Sequence, residues 1–335
     1  TTIRNAFHNP DLRKRILYTL MILVIFRFGS AILVPFVSGS GLQTLVGENS
    51  FFGLLNMFSG GAFANATIFA LSISPYITAQ IVIQLLTVAI PPLERLAKEG
   101  ETGRKKLDRI TRFTMIGMCL LQSYGYYTLL LSQGSIDSAY TSGATRWFVM
   151  VVIMFTFTAG ACAVTWMGDR ITEKGIGNGI SMILFAGILA GLPSSIEVLL
   201  ERLSEGGINY VLVPLIVLIF AAMIVFIIIM TDAERRIQIS YAKRVVGRKM
   251  YGGQNSYLPI KVNMSGVMPI IFASSLLSIP SLIGGFTNPA AGSFWYNVLS
   301  WLSPSHWFYG ILYFILIIGF NYFYVTMQYN PIEIA

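Results

Sequence analysis

The sequence predicts an all-α polytopic membrane protein, and three observations carry that reading. The 335 residues are 55% hydrophobic and only 11% charged, where soluble domains carry about 25% charged residues. Mean hydropathy is +0.68. The apolar residues also fall into runs of bilayer-spanning length, about 20 residues each. Together these exclude a disordered chain, a secreted disulfide scaffold and an ordinary cytosolic enzyme. Cys119 and Cys162 both sit inside apolar runs and read as small buried hydrophobes, not as a disulfide or metal ligands. The N-terminal segment is basic and its first apolar run is span-length without a small-residue cleavage site, so no cleavable signal peptide is expected.

Eight spans are expected, at Ile16–Val34, Ala66–Ile90, Phe113–Ser132, Trp147–Met167, Ile180–Leu200, Val211–Thr231, Ser265–Gly285 and Trp307–Met327. Pro75 lies in the second, Pro193 in the fifth, and Pro269 and Pro280 in the seventh. Such breaks are tolerated where neighbouring helices or cavity water satisfy the freed backbone groups.

Charge orients the chain. The N-terminus, Pro91–Arg112, Gly168–Asn178, Asp232–Asn263 and the tail from Gln328 fall on one side and hold 20 of the 23 Lys and Arg, against 10 acids. The opposite loops hold Arg146 and Arg202 against five acids. Positive charge favours the cytosolic face, so the N-terminus is expected to be cytosolic. Between the first two spans lies Phe51–Ala64, apolar enough to enter the membrane but too short to cross it. A crossing here would invert every later loop and destroy the charge asymmetry. The segment is therefore expected to be a half-helix that enters from the outside and returns, which backbone can do only inside protein or beside a water-filled cavity.

With Glu197, at the outer end of the fifth, counted among the outside loops, no Asp or Glu falls in the eight spans, whereas ion-coupled pumps place carboxylates there as relays. Of the two histidines, His8 lies in the cytosolic N-terminal segment and His306 at the outer edge of the last span, and no Walker A pattern is present. The Gly175–Gly179 run follows no predicted strand and reads as a flexible lead into the fifth span. No cofactor is expected, and an enzyme is disfavoured. Pro91–Arg112 and Asp232–Asn263 carry seven basic residues each. The second loop alternates Ile237, Ile239, Tyr241, Val245 and Val246 with polar residues, as an ordered hairpin would. Docking of a large acidic partner and simple topology with lipid headgroup attraction both fit these charges. Weakly polar residues (Ser72, Ser74, Thr78, Gln80, Gln84 and Thr87; Ser274, Ser275 and Ser278) stud the second and seventh spans. Hydroxyls and amides there bond across helices or line a cavity. Arg27, a cation inside the first span, fits either a bond to backbone carbonyls or a polar cavity.

Several segments resemble the bacterial SecY protein-conducting channel family, which includes the Sec61 α-subunits. They are Gly53-Leu54-Leu55-Asn56-Met57-Phe58-Ser59-Gly60-Gly61, Ser74-Pro75-Tyr76-Ile77-Thr78 and Ile83-Gln84-Leu85-Leu86. Gly100-Glu101-Thr102-Gly103-Arg104-Lys105-Lys106 and Ile171-Thr172-Glu173-Lys174-Gly175-Ile176-Gly177-Asn178-Gly179-Ile180-Ser181 continue the likeness. So do Tyr241-Ala242-Lys243-Arg244, Leu258-Pro259-Ile260-Lys261-Val262-Asn263 and Phe272-Ala273-Ser274-Ser275. The likeness runs through the whole chain in order.

The resemblance implies a clamshell of two pseudosymmetric halves and a channel for unfolded secretory proteins. Eight of the family's ten helices are expected. Residues 1–200 would form the N-terminal half, with the plug at about 42–64, and 201–335 an incomplete C-terminal half with the basic cytosolic loop 232–263. The sequence is thus expected to be a truncated stretch of a longer chain. By motif the plug would include Phe51, Leu54, Leu55, Asn56, Met57, Phe58, Gly60 and Gly61. A pore ring of Ile73, Ile77, Ile188, Ile271 and Leu276 is implied, and a lateral gate along Thr78, Gln84, Ser274 and Ser275. Docking is implied at Arg104, Lys105, Lys106, Arg235, Arg236, Lys243, Arg244, Arg248 and Lys249. The implied partners are the SecE and SecG subunits, the SecA ATPase or a ribosome at the cytosolic face, a secretory precursor with its signal peptide, and phospholipid. The implied location is the bacterial plasma (inner) membrane. Ser74 stands where the family usually has an apolar residue and Ser72 where it commonly has glycine, which would make the gate slightly more polar. A secondary transporter of inverted repeats is the competing reading, and a membrane-embedded hydrolase a third.

Overall fold

The computed structural model describes residues 9–38, 42, 50–137, 140, 143–204, 209–239, 244–246, 249–251, 256–287, 293–302 and 306–328. Helix α1 (Pro10–Gly29) starts where Asn9 accepts the amide of Asp11 through its side chain, with Pro10 in the first turn. It stops short of the expected Val34. Beyond Gly29 the backbone finds partners elsewhere: Val34 donates its amide to Ala66 and Ile68 donates to Ile32, at 3.1 and 3.0 Å. Such cross-chain bonds replace the helical ladder that an unbroken span would need.

Helix α2 (Ser50–Phe58) is the short apolar segment. Turns follow as far as α3 (Ser74–Ala89), whose N-terminal turn contains Pro75. The second span was expected to begin at Ala66 and to be broken by Pro75. Instead Ala66 and Ser72 take positive φ, which helix cannot hold, and Pro75 starts the helix rather than kinking it. At Ile90 the backbone turns extended ahead of Pro91, as a residue before proline prefers. There the chain bends by 102° into α4 (Pro91–Lys98).

Much of the first basic loop is therefore helix. It runs into α5 (Glu101–Ser132), and α6 (Gly143–Lys174) is equally long at 32 residues. At 1.5 Å per residue each measures about 48 Å, well beyond a hydrocarbon core of about 30 Å. Arg104, Lys105 and Lys106 sit at the α5 end that adjoins α4. The Gly175–Gly179 run is a capped corner. Asn178 accepts the amides of Ile180 and Ser181 at 3.0 and 3.3 Å and starts α7 (Gly179–Ala190), while Thr19 accepts the amide of Ile176. Gly191 separates α7 from α8 (Leu192–Ser204), so the fifth span is two helices by hydrogen bonding, although Gly179–Ser204 qualifies as one apolar run.

Helix α9 (Asn209–Asp232) contains Pro214. Strands β1 (Glu234–Ile239), β2 (Arg244–Val246), β3 (Lys249–Tyr251) and β4 (Ser256–Lys261) follow, as two antiparallel pairs, β1 with β4 and β2 with β3. Then come α10 (Met268–Thr287), α11 (Phe294–Trp301) and α12 (Trp307–Gln328). Among the described residues, four helices are long and apolar enough to cross a membrane by length and composition: Thr145–Lys174, Gly179–Ser204, Tyr210–Asp232 and Trp307–Thr326. The bent pair α3–α4 makes a fifth if counted as one span.

The chain divides into two compact units. The first comprises Thr1–Ser195 and Ser274–Tyr313. In it α3 packs on α5, α5 on α6, α6 on α7, and α1 on both α6 and α7. One core joins the post-helical turn to α5 and α6 through Phe63, Leu71, Cys119, Tyr126, Ile153 and Phe157. A second joins α1, α6 and α7 through Ile22, Phe26, Val164, Ile171 and Ile183, with Phe69 and Ile73 of the turn between them. Arg112 and Asp169 pair at 3.0 Å across α5 and α6. The second unit comprises Ile196–Ala273 and Phe314–Ala335. Its long hairpin pairs Glu234 with Lys261 through Ile239 with Ser256. Ser265 donates its hydroxyl to the Asn321 amide oxygen, and Phe272 meets Phe320 edge to face at 5.8 Å.

Candidate functional site

The site is built around α2. Nine residues of helix measure about 14 Å, too short to cross a bilayer. Its C-terminal end is over-determined by short-range bonds. Asn56 accepts the Ala64 amide through its side chain at 2.8 Å, and its carbonyl accepts the Gly61 amide at 2.9 Å and the Ser59 hydroxyl at 3.0 Å. Ser59 in turn accepts the Phe63 amide through its hydroxyl oxygen at 3.0 Å. Gly60 and Gly61 take φ of +66° and +87°, which closes the return with no Cβ penalty.

Three longer contacts seat this turn. Arg27 of α1 donates to the Gly60 carbonyl at 2.6 Å. Ser72 donates its hydroxyl to the Phe58 carbonyl at 3.5 Å. Gly187 of α7 lies so close that a Cβ there would stand 2.5 Å from the Phe58 oxygen. Tyr126 of α5 completes the seat: it donates to the Phe63 carbonyl, and its ring packs edge to face on Phe63 and Phe157 at 4.8 and 4.7 Å. Of the expected plug residues, Leu55, Asn56, Phe58, Gly60 and Gly61 are partly buried here and Met57 is 42% exposed. The side chains of Phe51 and Leu54 lie outside the described residues, as does 43–49 of the expected plug range.

The expected ring residues have different surroundings. Ile73 is 0% exposed and packs in the core shared by α1, α6 and α7, with Ile77 partly buried against the same cluster. Ile188, next to Gly187, is 41% exposed. On α10, Ile271 is partly buried and Leu276 is 44% exposed. Of the expected gate residues, Thr78 returns its hydroxyl to the Ser74 carbonyl at 3.0 Å, while Gln84, Ser274 and Ser275 are partly buried. The sequence singled out Arg27, Gly60 and Ser72 but gave no signal for Gly187 or Tyr126. A glycine in an apolar helix is common, and Gly187 meets Phe58 across 129 residues, while the partner of Arg27 is 33 residues away.

Of the expected docking residues, Arg104, Lys105, Lys106, Arg235 and Arg236 have described side chains, and all five are exposed. Lys105 pairs with Glu101 at 2.9 Å and Lys106 with Glu99 at 3.4 Å, leaving Arg104 exposed on α5. On α4 the Lys98 ammonium beside Glu94 holds its carboxyl below the usual carboxylate range. Arg235 and Arg236 are exposed on β1, opposite Ile260 and Pro259. Arg244 and Lys249 lie on β2 and β3 with side chains outside the described residues, as Lys243 and Arg248 are entirely.

Comparison with known proteins sets this geometry in a family. The SecY family model matches residues 67–335. A Streptomyces coelicolor relative, the protein translocase subunit SecY, is 42% identical over 348 residues, covering 100% of this chain and 78% of the relative. The chain belongs to the SecY family. Solved channels carry the same fold. One is described as the structure of a protein conducting channel, with a TM-score of 0.56 and 18% identity over 82% of this chain. Another is described as showing that the SecY plug domain stabilizes the closed state and maintains a membrane seal, with a TM-score of 0.53 and 20% identity. The chain spans 58% of the length of each of these two channels. With four helices of spanning length and composition among its described residues, this SecY family chain is a multi-pass membrane protein.

Proposed function

We propose that this chain is the channel-forming subunit of a protein translocase. It passes unfolded secretory proteins across the bacterial inner membrane and releases membrane segments sideways into lipid through a lateral gate. The observation that carries the reading is the seat of α2, a half-helix too short to cross, held at its C-terminal turn by α1 and α7. The two halves would be 1–200 and 201–335, with α2 as the plug. Ile73, Ile77, Ile188, Ile271 and Leu276 would form the constriction. Aliphatic side chains seal against water yet offer a passing peptide no polar contacts to stick to. Thr78, Gln84, Ser274 and Ser275 would line the gate.

The basic α5 terminus and the β1–β4 hairpin would receive SecA or a ribosome at the cytosolic face, with SecE and SecG completing the complex. Energy comes from that partner. A photoreactive residue at Ile77 of the full-length subunit, in vesicles given a stalled precursor, motor and ATP, tests the reading. We expect a precursor adduct that requires both the motor and the signal sequence. Demonstrated translocation without an adduct at Ile77 would remove that residue from the path.

A further inference from the structure

We propose that Arg27 is a positioning residue, one jaw of a clasp that holds the C-terminal turn of α2 in its closed seat. The Gly60–Gly187 backbone contact is the other jaw. The inference rests on reading α2 as the plug, and it concerns what keeps that plug in place.

The geometry has three parts. Arg27 sits in the last turn of α1, and its guanidinium reaches the Gly60 carbonyl 33 residues away at 2.6 Å. A cation in an apolar span loses its hydration and needs a partner. The C-terminal end of a helix, with its unpaired carbonyls and negative dipole end, is a fitting one. Second, a Cβ at Gly60 would lie 3.2 and 3.3 Å from the Gly187 Cα and oxygen, and one at Gly187 would lie 2.5 Å from the Phe58 oxygen. Backbone meets backbone only because both residues are glycine. Third, the two jaws belong to a frame that exists without α2. Helices α1 and α7 touch each other, and both pack on α6 through Ile22, Phe26, Val164, Ile171 and Ile183. Losing the clasp therefore loosens the turn of α2, which keeps only its ties to Ser72 and Tyr126, and leaves the frame packed.

The test uses the full-length subunit in its native complex, reconstituted into planar bilayers, with resting ion conductance as the readout. Arg27→Gln is expected to raise the leak several-fold, toward that of a channel lacking residues 50–61. Arg27→Lys keeps a cation over the carbonyl and is expected to restore most of the seal. Gly187→Ala leaves Arg27 intact, lifts the turn sterically, and is expected to leak like Arg27→Gln. Combined with removal of 50–61, Arg27→Gln is expected to add nothing, an outcome that damage to the frame would not give. Wild-type leak in Arg27→Gln, alongside a leaking plug deletion, overturns the clasp and leaves the plug reading standing. An additive leak in the combined variant also overturns it, by placing Arg27 in the frame. A tight plug deletion removes the plug reading and the clasp together.

Discussion

Tyr126 illustrates how one side chain can tie the return segment to the bundle. Its hydroxyl meets the Phe63 carbonyl 63 residues away, and its buried ring fills the space between Phe63 and Phe157. Tyr126→Phe keeps the ring and removes one of the two donors to the Phe63 carbonyl, leaving it only the Ala66 amide at 3.1 Å. Losing one such hydrogen bond costs about 0.5–1.5 kcal/mol. We expect a slightly lower Tm in detergent for the purified complex, whereas an unchanged Tm would mean that the Ala66 amide alone satisfies the carbonyl. Arg27 was legible as an anomaly, a cation among apolar residues, but its partner was not. A hydrogen bond between positions 27 and 60 depends on how α1 and the turn after α2 are brought together, which no local spacing encodes. Ile73 shows the converse. Spacing puts it on one face with Ile77, as the sequence allows. Its complete burial comes from sharing one core cluster with Phe26, Phe69 and Ile183, which belong to separate segments.

The elements divide along similar lines. Helix centres were legible because an apolar run of span length has few alternatives in lipid, where only helices satisfy their own backbone. Their ends were less so. Helix α1 ends at Gly29 and α5 begins at Glu101, because hydropathy registers neither the cross-chain backbone partners of residues beyond Gly29 nor a charged helix that extends past the bilayer. The hairpin was legible from alternation, and the structure pairs β1 with β4 in a register that sets Arg235 opposite Ile260 and Arg236 opposite Pro259. A two-stranded ribbon has no core to protect, so charge reversal there leaves the spans intact. The double change Arg235→Glu and Arg236→Glu is expected to weaken binding of the cytosolic motor, most strongly at low salt, where surface charges are least screened. Titration of the motor onto vesicles at two ionic strengths reads this out. Equal affinity for both proteins at low salt would place the docking surface elsewhere.

For the molecule as a whole, the charge asymmetry is a statement about topology. By the positive-inside rule it predicts Lys105 in the cytosol and Asp137, just beyond α5, outside. In a background lacking Cys119 and Cys162, an impermeant thiol reagent is expected to label Lys105→Cys only from the cytosolic face. Asp137→Cys should label only from the other. Labelling of both from one face would undo the orientation. The 32 residues of α5 supply the length for such a crossing with turns to spare at its basic end.

What needed no tertiary information was the class of the molecule, the long apolar runs and the segment too short to cross, with the orientation that charge predicts and labelling tests. Each follows from hydrophobic length or charge, quantities that add up along the chain and do not depend on neighbours in space. The seat of α2 is of another kind. It requires Arg27, Gly60, Ser72, Tyr126 and Gly187 to meet, and these come from separate elements. Hydrogen bonds and backbone contact act only over a few ångströms, so residues distant in sequence become partners when packing of α1, α5, α6 and α7 has already brought them within reach.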